Sequence, residues 1–300
     1  MNYEFLMFRD YLKTQYHYAE KTLLEKEKQL ENWQKMCGNY QNLNTLNKTE
    51  LFKIIEIQRK KYKETTLNYL LKTLEQYYFY QIKTGKRTDN PLKDFRIKTP
   101  KKPLLKGFLN EEELNEIYEK MPVKGHYSGQ FDCFAFRKKI IVGLLVYQGL
   151  CTSDLGEIDL QDIDLKIGTI EISKKQSSRL NGRKLALSPN QILDLHHYIT
   201  ETRGEIMRTL KQKDGQKLFP FSEKSGVKSL VQNIKQTVQK HSQITNLQQI
   251  RYSRIALWLK VFNPREVQYR AGYKSLLSLE KFQQDRLESL KQAIEKHHIF

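Results

Sequence analysis

The side chains best placed by type and spacing to do chemistry in this chain are cations. Between Arg59 and Lys102, thirteen Lys and Arg stand against four Asp and Glu, a local net charge of +9 that is half of the chain's +18. Arg59, Lys60, Lys61 and Lys63 form one group, and Lys98, Lys101 and Lys102 form a second in a stretch bearing Pro100 and Pro103. A third pair, Lys174 and Lys175, opens a polar segment that also holds Asn181-Gly182. Solvated lysine is common, but clustering on a helix and the segment after it favours phosphate contact, where each cation releases a counterion. For Lys174 and Lys175, a solvated hairpin and a DNA contact are equally good readings.

Other reaction chemistry finds no carrier. There is no Gly-rich phosphate loop, no HExxH and no GxSxG. His196-His197 and His297-His298 are adjacent pairs, so on a helix their side chains diverge by about 100° and make poor joint metal ligands. Cys37, Cys133 and Cys151 are far apart, odd in number and without a CxxC, as in a reduced cytoplasmic protein without a cysteine-rich zinc site. The expectation is no metal and no cofactor.

The balance of the chain narrows the partner. A sequence pI near 9.6 exceeds what solubility requires and points to a polyanion such as nucleic acid or an anionic membrane face. Hydrophobic residues at 39% and charged residues at 29% exclude wholesale disorder. No apolar run approaches the roughly 18 residues of a membrane span, and Arg9, Asp10, Lys13 and Glu20 interrupt the first twenty residues. Neither a membrane span nor a secretory signal is expected.

These cations need elements to hold them. Leu67, Leu70, Leu71, Leu74, Tyr77, Tyr78 and Ile82 recur at helical spacing, with Thr65 or Thr66 as a cap and Gly85 as a stop. Weaker stripes over 3–18, 22–36 and 51–62 complete a small bundle. Residues 97–106 read as an extended basic linker between a helical domain over 1–96 and a second domain over 108–300, with 97–107 as the junction. Asn110 before Glu111, Glu112 and Glu113 predicts a capped helix start. An apolar helix is predicted over 133–148. Alternation then predicts strands over 169–173 and 184–188 joined by a hairpin at Asn181-Gly182, followed by helices from Pro189 onward. The fold class is mainly α, with one small antiparallel sheet (α+β).

Along this framework the chain resembles the tyrosine recombinases, which include phage integrases. Thr66 to Tyr78, Asn90-Pro-Leu92 and Phe108 to Leu114 are similar to the end of that family's core-binding domain and its passage into the catalytic domain. Gly149-Leu150, Ser153-Asp-Leu155 and Asp162-Ile163, then Lys174 and Lys175, Leu218-Phe219, Ile244-Thr245, Ile250-Arg251-Tyr-Ser253 and Gly272-Tyr273 follow the family's landmarks in order. The resemblance implies a tyrosine hydroxyl attacking a DNA phosphodiester. Arginines and histidine-type donors would hold the transition-state charge, and a hairpin lysine would protonate the leaving oxygen.

The sequence departs from that pattern at the chemistry. Cys151 stands where the family has its first arginine, Gln248 where it has histidine three residues before Arg251, and Tyr273 where it has histidine after Gly272. Nine residues on, where the nucleophilic tyrosine is implied, stands Phe282. No functional catalytic residue is therefore expected. Arg251 reads either as an anchor to a carboxylate or, preferably, as a surviving phosphate contact, and Tyr269 and Tyr273 are the nearby tyrosines able to serve as a displaced nucleophile.

The function expected is DNA binding by a catalytically inactive recombinase homologue, an accessory, regulatory or architectural factor in recombination or integration of a mobile element. Its partners would be duplex DNA, further copies of itself on that DNA through an apolar stripe at Leu287, Leu290, Ala293 and Ile294, or an active recombinase or transposition protein. No membrane is among them, and the place of action would be the bacterial cytoplasm, with the nucleoid. The alternatives are an active recombinase using a displaced tyrosine or an active partner subunit, and a protein-interaction module without DNA function.

Overall fold

The structure is a computed structural model that describes residues 3–38, 42–99, 107–124, 132–173, 180–212, 215–221 and 226–282. The chain divides into two compact units, Met1–Pro103 and Leu104–Phe300. Among the described residues no helix is long and apolar enough to cross a membrane, and no group of three His, Cys, Asp or Glu is placed to hold a metal.

The first unit is four helices, α1 (Tyr3–Tyr16), α2 (Glu20–Met36), α3 (Lys48–Arg59) and α4 (Glu64–Lys83). Each contributes one apolar face to a shared core around Phe8, Leu30, Trp33, Leu51, Leu74, Tyr77 and Tyr78. Asn47 caps α3 through a reciprocal box with Glu50. Helix α4 starts earlier than the threonine signal suggested: Lys63 is its N-cap residue, without a side-chain bond, so Thr65 and Thr66 lie inside the first turn. Gly85, at φ 73°, follows its end. Ile97, expected to begin the linker, is buried in this core, with its backbone N–H and C=O both bonded to the Asn68 amide at 3.0 and 2.7 Å. Linker residues 100–106, Lys101 and Lys102 among them, lie outside the described residues.

The second unit is built around α6 (Asp132–Tyr147), whose run from Ile140 to Val146 is wholly buried. A helix apolar all round belongs at the centre of its domain. Around it lie α5 (Glu111–Glu119), α7 (Pro189–His197), a π turn (Tyr198–Thr202), α8 (Arg203–Thr209), α9 (Gly226–Gln239) and α10 (Leu247–Val261), while α11 (Pro264–Ala271) packs on α10 in a second cluster. Asn110 and Glu113 form the capping box that opens α5. His196 and His197 are exposed, with the His197 ring edge-on to Phe136.

Three short antiparallel strands, β1 (Ile163–Asp164), β2 (Thr169–Ile172) and β3 (Arg183–Ala186), lie in that order. Ile170 pairs with Leu185, and Ile172 with Arg183. The β2–β3 connection is therefore residues 173–182, and Asn181-Gly182 is not a tight hairpin turn: Gly182 has no positive φ, and the Asn181 N–H donates to the Gly272 carbonyl at 2.7 Å. Residues 174–179, which include Lys174 and Lys175, and everything after Phe282, including the expected apolar stripe, lie outside the described residues.

Candidate functional site

Four separate stretches of the second unit converge on one place: the loop after α6, strand β3, helix α10, and the segment from the end of α11 to Phe282. The loop is tied by Asp154. Its Oδ2 accepts from the Cys151 N–H at 3.1 Å and from Arg183 Nη2 at 2.9 Å. Arg183 reaches this carboxylate because β3 starts at residue 183: sheet alternation places Arg183 on the buried face with Leu185. Its side chain is wholly buried. Burial lowers its pKa from the ordinary value, Asp154 opposes that shift, and nearby Arg251 adds to it. Among the described residues Arg183 Nε has no hydrogen-bond partner.

Arg251 enters from α10 and is only 4% exposed. One terminal nitrogen donates to the Gly149 carbonyl and the other to the Ala271 carbonyl at 2.6 Å. Its guanidinium carbon lies 5.5 Å from the centre of the Tyr273 ring. The carboxylate-anchor alternative thus meets carbonyl oxygens instead: Arg251 joins the loop after α6 to the end of α11. Two guanidiniums and one carboxylate leave this buried cluster with an excess of one positive charge.

Phe282 closes the adjoining wall. It is 4% exposed, with ring centroids 5.4 Å from Tyr252 and 5.9 Å from Phe108, in a cluster with Ile255, Trp258, Val267, Ala271 and Leu279. Gln248 donates from its amide to the Tyr252 hydroxyl one helical turn away. Tyr269 is half exposed, and its hydroxyl accepts from the Lys184 N–H at 2.9 Å, occupying a donor on the open edge of β3. Cys151 is a partly exposed free thiol.

Cys151, Gln248, Arg251, Tyr273 and Phe282, up to 131 residues apart, therefore share one neighbourhood. Sequence reasoning carried Asp154 and Tyr252 only as members of motifs, with no role assigned, and missed Arg183 and Lys281 as site residues. The signal for Arg183 was available, since shifting the strand one residue toward the amino terminus puts an arginine in phase with Leu185. In the first unit, Arg59, Lys60, Lys61 and Lys63 are all exposed at the turn between α3 and α4. Arg59 is engaged by Glu56 at 2.9 Å. The same turn exposes Tyr62, and α4 exposes Tyr69, Phe79 and Lys83. Lys98 is exposed in the segment after it.

Solved structures share this architecture. The Tn1549 transposon integrase, seen with transposon right end DNA, is 13% identical at a TM-score of 0.65, over 98% of this chain and 99% of that one. XerH site-specific recombinase, bound to difH substrate, is 18% identical at a TM-score of 0.61, over 90% of this chain and 76% of that one. A lambda integrase tetramer bound to a Holliday junction gives 16% identity and a TM-score of 0.60, over 90% and 74%. At such identities the likeness is one of fold. No curated protein matches the chain. A model of the phage integrase family matches residues 107–287, the whole stretch that assembles Cys151, Arg183, Arg251, Tyr273 and Phe282, and on that match the chain belongs to the phage integrase family.

Proposed function

We propose that this protein binds duplex DNA as a recombinase homologue that does not cut it, and serves as an accessory or architectural factor for recombination or integration of a mobile element. The observation that carries the reading is Phe282. At the position the resemblance assigns to the nucleophile there is a phenyl ring, packed among Tyr252, Phe108 and Leu279, with no oxygen to attack phosphorus. Losing a single charge-stabilising donor costs about 10²–10³ in rate, and positions 151, 248 and 273 each carry a residue other than the family's.

Binding is supported separately, by the cations the chain keeps. The α3–α4 turn presents Lys60, Lys61 and Lys63 to solvent, and none of the three is in an ion pair among the described residues. The relatives described above were solved on transposon end, difH and Holliday junction DNA, and we carry DNA over from them as the partner. Lys98, Lys101, Lys102, Lys174 and Lys175 extend the proposed contact set. Arg251 supports that set from behind: its bonds to the Gly149 and Ala271 carbonyls leave it little exposed, so it holds the pocket together and is not itself counted as a phosphate contact.

The test is a nicked suicide duplex, carrying a site selected from genomic fragments that the protein retains, followed by a denaturing gel. Retention without a covalent protein–DNA band is the expected result. A covalent band would overturn the reading, and peptide mapping would then place the nucleophile on Tyr252, Tyr269, Tyr273 or another residue.

A further inference from the structure

Lys281 stands beside Phe282 with its ammonium over three aromatic rings: Tyr252 at 4.3 Å, Phe282 at 5.1 Å and Tyr273 at 5.4 Å from the ring centres. The electron-rich faces of the rings attract a cation and fix a long, flexible side chain in place. They do not neutralise it. Lys281 is half-buried, and among the described residues no carboxylate pairs with it. Arg251 leans on the same Tyr273 ring at 5.5 Å, so the ring that holds Lys281 also borders the Arg183–Arg251 cluster with its excess positive charge, a local field that favours an anion. Other unpaired lysines of this chain, such as Lys60 and Lys61, stand exposed in solvent and carry no comparable signal.

We propose that Lys281 is a fixed contact for a backbone phosphate of duplex DNA, and that Tyr252, Tyr273 and Phe282 are the platform that aims it. The inference rests on the DNA-binding reading above and adds a residue to it. It also gives the ring at 282 a use that needs no hydroxyl, since a phenyl face holds an ammonium as well as a phenol does.

The experiment titrates the full chain with a mixed-sequence DNA duplex at several salt concentrations. A lysine that neutralises one phosphate contributes about 0.9 to the slope of log affinity against log salt. Lys281→Gln should lower the slope by about that amount and weaken binding to unrelated sequences alike, while Lys281→Arg restores the slope. Lys260→Gln, at an exposed position near the end of α10, should leave it unchanged. An unchanged slope in Lys281→Gln, or an equal loss in Lys260→Gln, overturns the proposal while wild-type binding keeps the broader reading. If the wild-type chain fails to bind the duplex at all, both fall. A thermal midpoint shared by the wild type and Lys281→Gln confirms that the change is in binding and not in folding.

Discussion

Arg183 fits only because residue 272 is glycine. A Cβ placed on Gly272 would lie 2.7 Å from Arg183 Nη1 and 3.1 Å from the Asn181 carbonyl oxygen, and Gly272 itself has φ 69°. Strand β3 and the end of α11 are thus packed through a guanidinium lying on bare backbone, with Asp154 on its other side.

Gly272→Ala must displace that guanidinium and accept a left-handed backbone, which together should cost about 2–4 kcal/mol. Asp154→Ala should cost a comparable about 3–5 kcal/mol, because it strands a buried charge. Urea unfolding monitored by Trp258, which lies in the same unit, measures both. A loss below about 1 kcal/mol for Asp154→Ala would contradict the buried pair as described.

The first unit carries its own pH dependence. Lys26 is buried, donates to Thr73 Oγ1 at 3.1 Å and Gln76 Oε1 at 2.7 Å, and has its pKa pushed down to about 8 by burial and by neighbouring Lys72. A base with a depressed folded pKa binds fewer protons folded than unfolded between about 8 and its ordinary 10.5, so stability rises with pH across that window. Relative to Lys26→Met, the wild type should gain up to about 3 kcal/mol from pH 8 to 10.5. Trp33 fluorescence in a Trp258→Phe background reads this, and a gap independent of pH refutes it.

Acid acts on the same unit through Glu4. Burial alone would raise its pKa, but hydrogen bonds from Lys86, Gln81 and Asn44 outweigh that and hold it down at about 2. A depressed carboxylate contributes stability above its ordinary 4.5 and loses it as pH falls toward 2. Glu4→Gln should therefore be the less stable protein at neutral pH and should converge on the wild type in acid. Parallel stability curves down to pH 2 would show that Glu4 is not responsible.

Replacing Lys60, Lys61 and Lys63 together with Gln should weaken DNA binding irrespective of sequence and lower the salt slope by up to about 2.7. These side chains are exposed, so the fold should be unaffected. Full retention of the slope would remove the α3–α4 turn from the contact surface.

Phe282→Tyr should not create a covalent complex with DNA. The new hydroxyl would meet a pocket with Cys151, Gln248 and Tyr273 at the donor positions, and groups that act as a unit recover little when one is repaired. A denaturing gel on the nicked duplex decides it, and a band from this variant alone would mean that Arg183 and Arg251 suffice to activate the phosphate.

Much of this molecule was legible in its residue order, for a local reason. The periodic stripes of α4 and α6, the Asn110 and Glu113 box, and the alternation at Thr169–Ile172 depend on neighbours three or four positions away, so each element carries its own signal. Motif order likewise joined Cys151, Gln248, Arg251, Tyr273 and Phe282 into one set, and the charge cluster at Arg59–Lys63 is plain in composition. What needed the tertiary structure was whatever long-range contact settles. Arg183 became a buried partner of Asp154 only through the register that sets it beside Leu185 and opposite Ile172. Gly272 left the space for it, 89 residues away in the chain. Lys281 was one lysine among many until Tyr252 from α10 and Tyr273 from beyond α11 were folded beneath it. Charge and period are properties of a segment, whereas the environment of a charge belongs to everything packed around it.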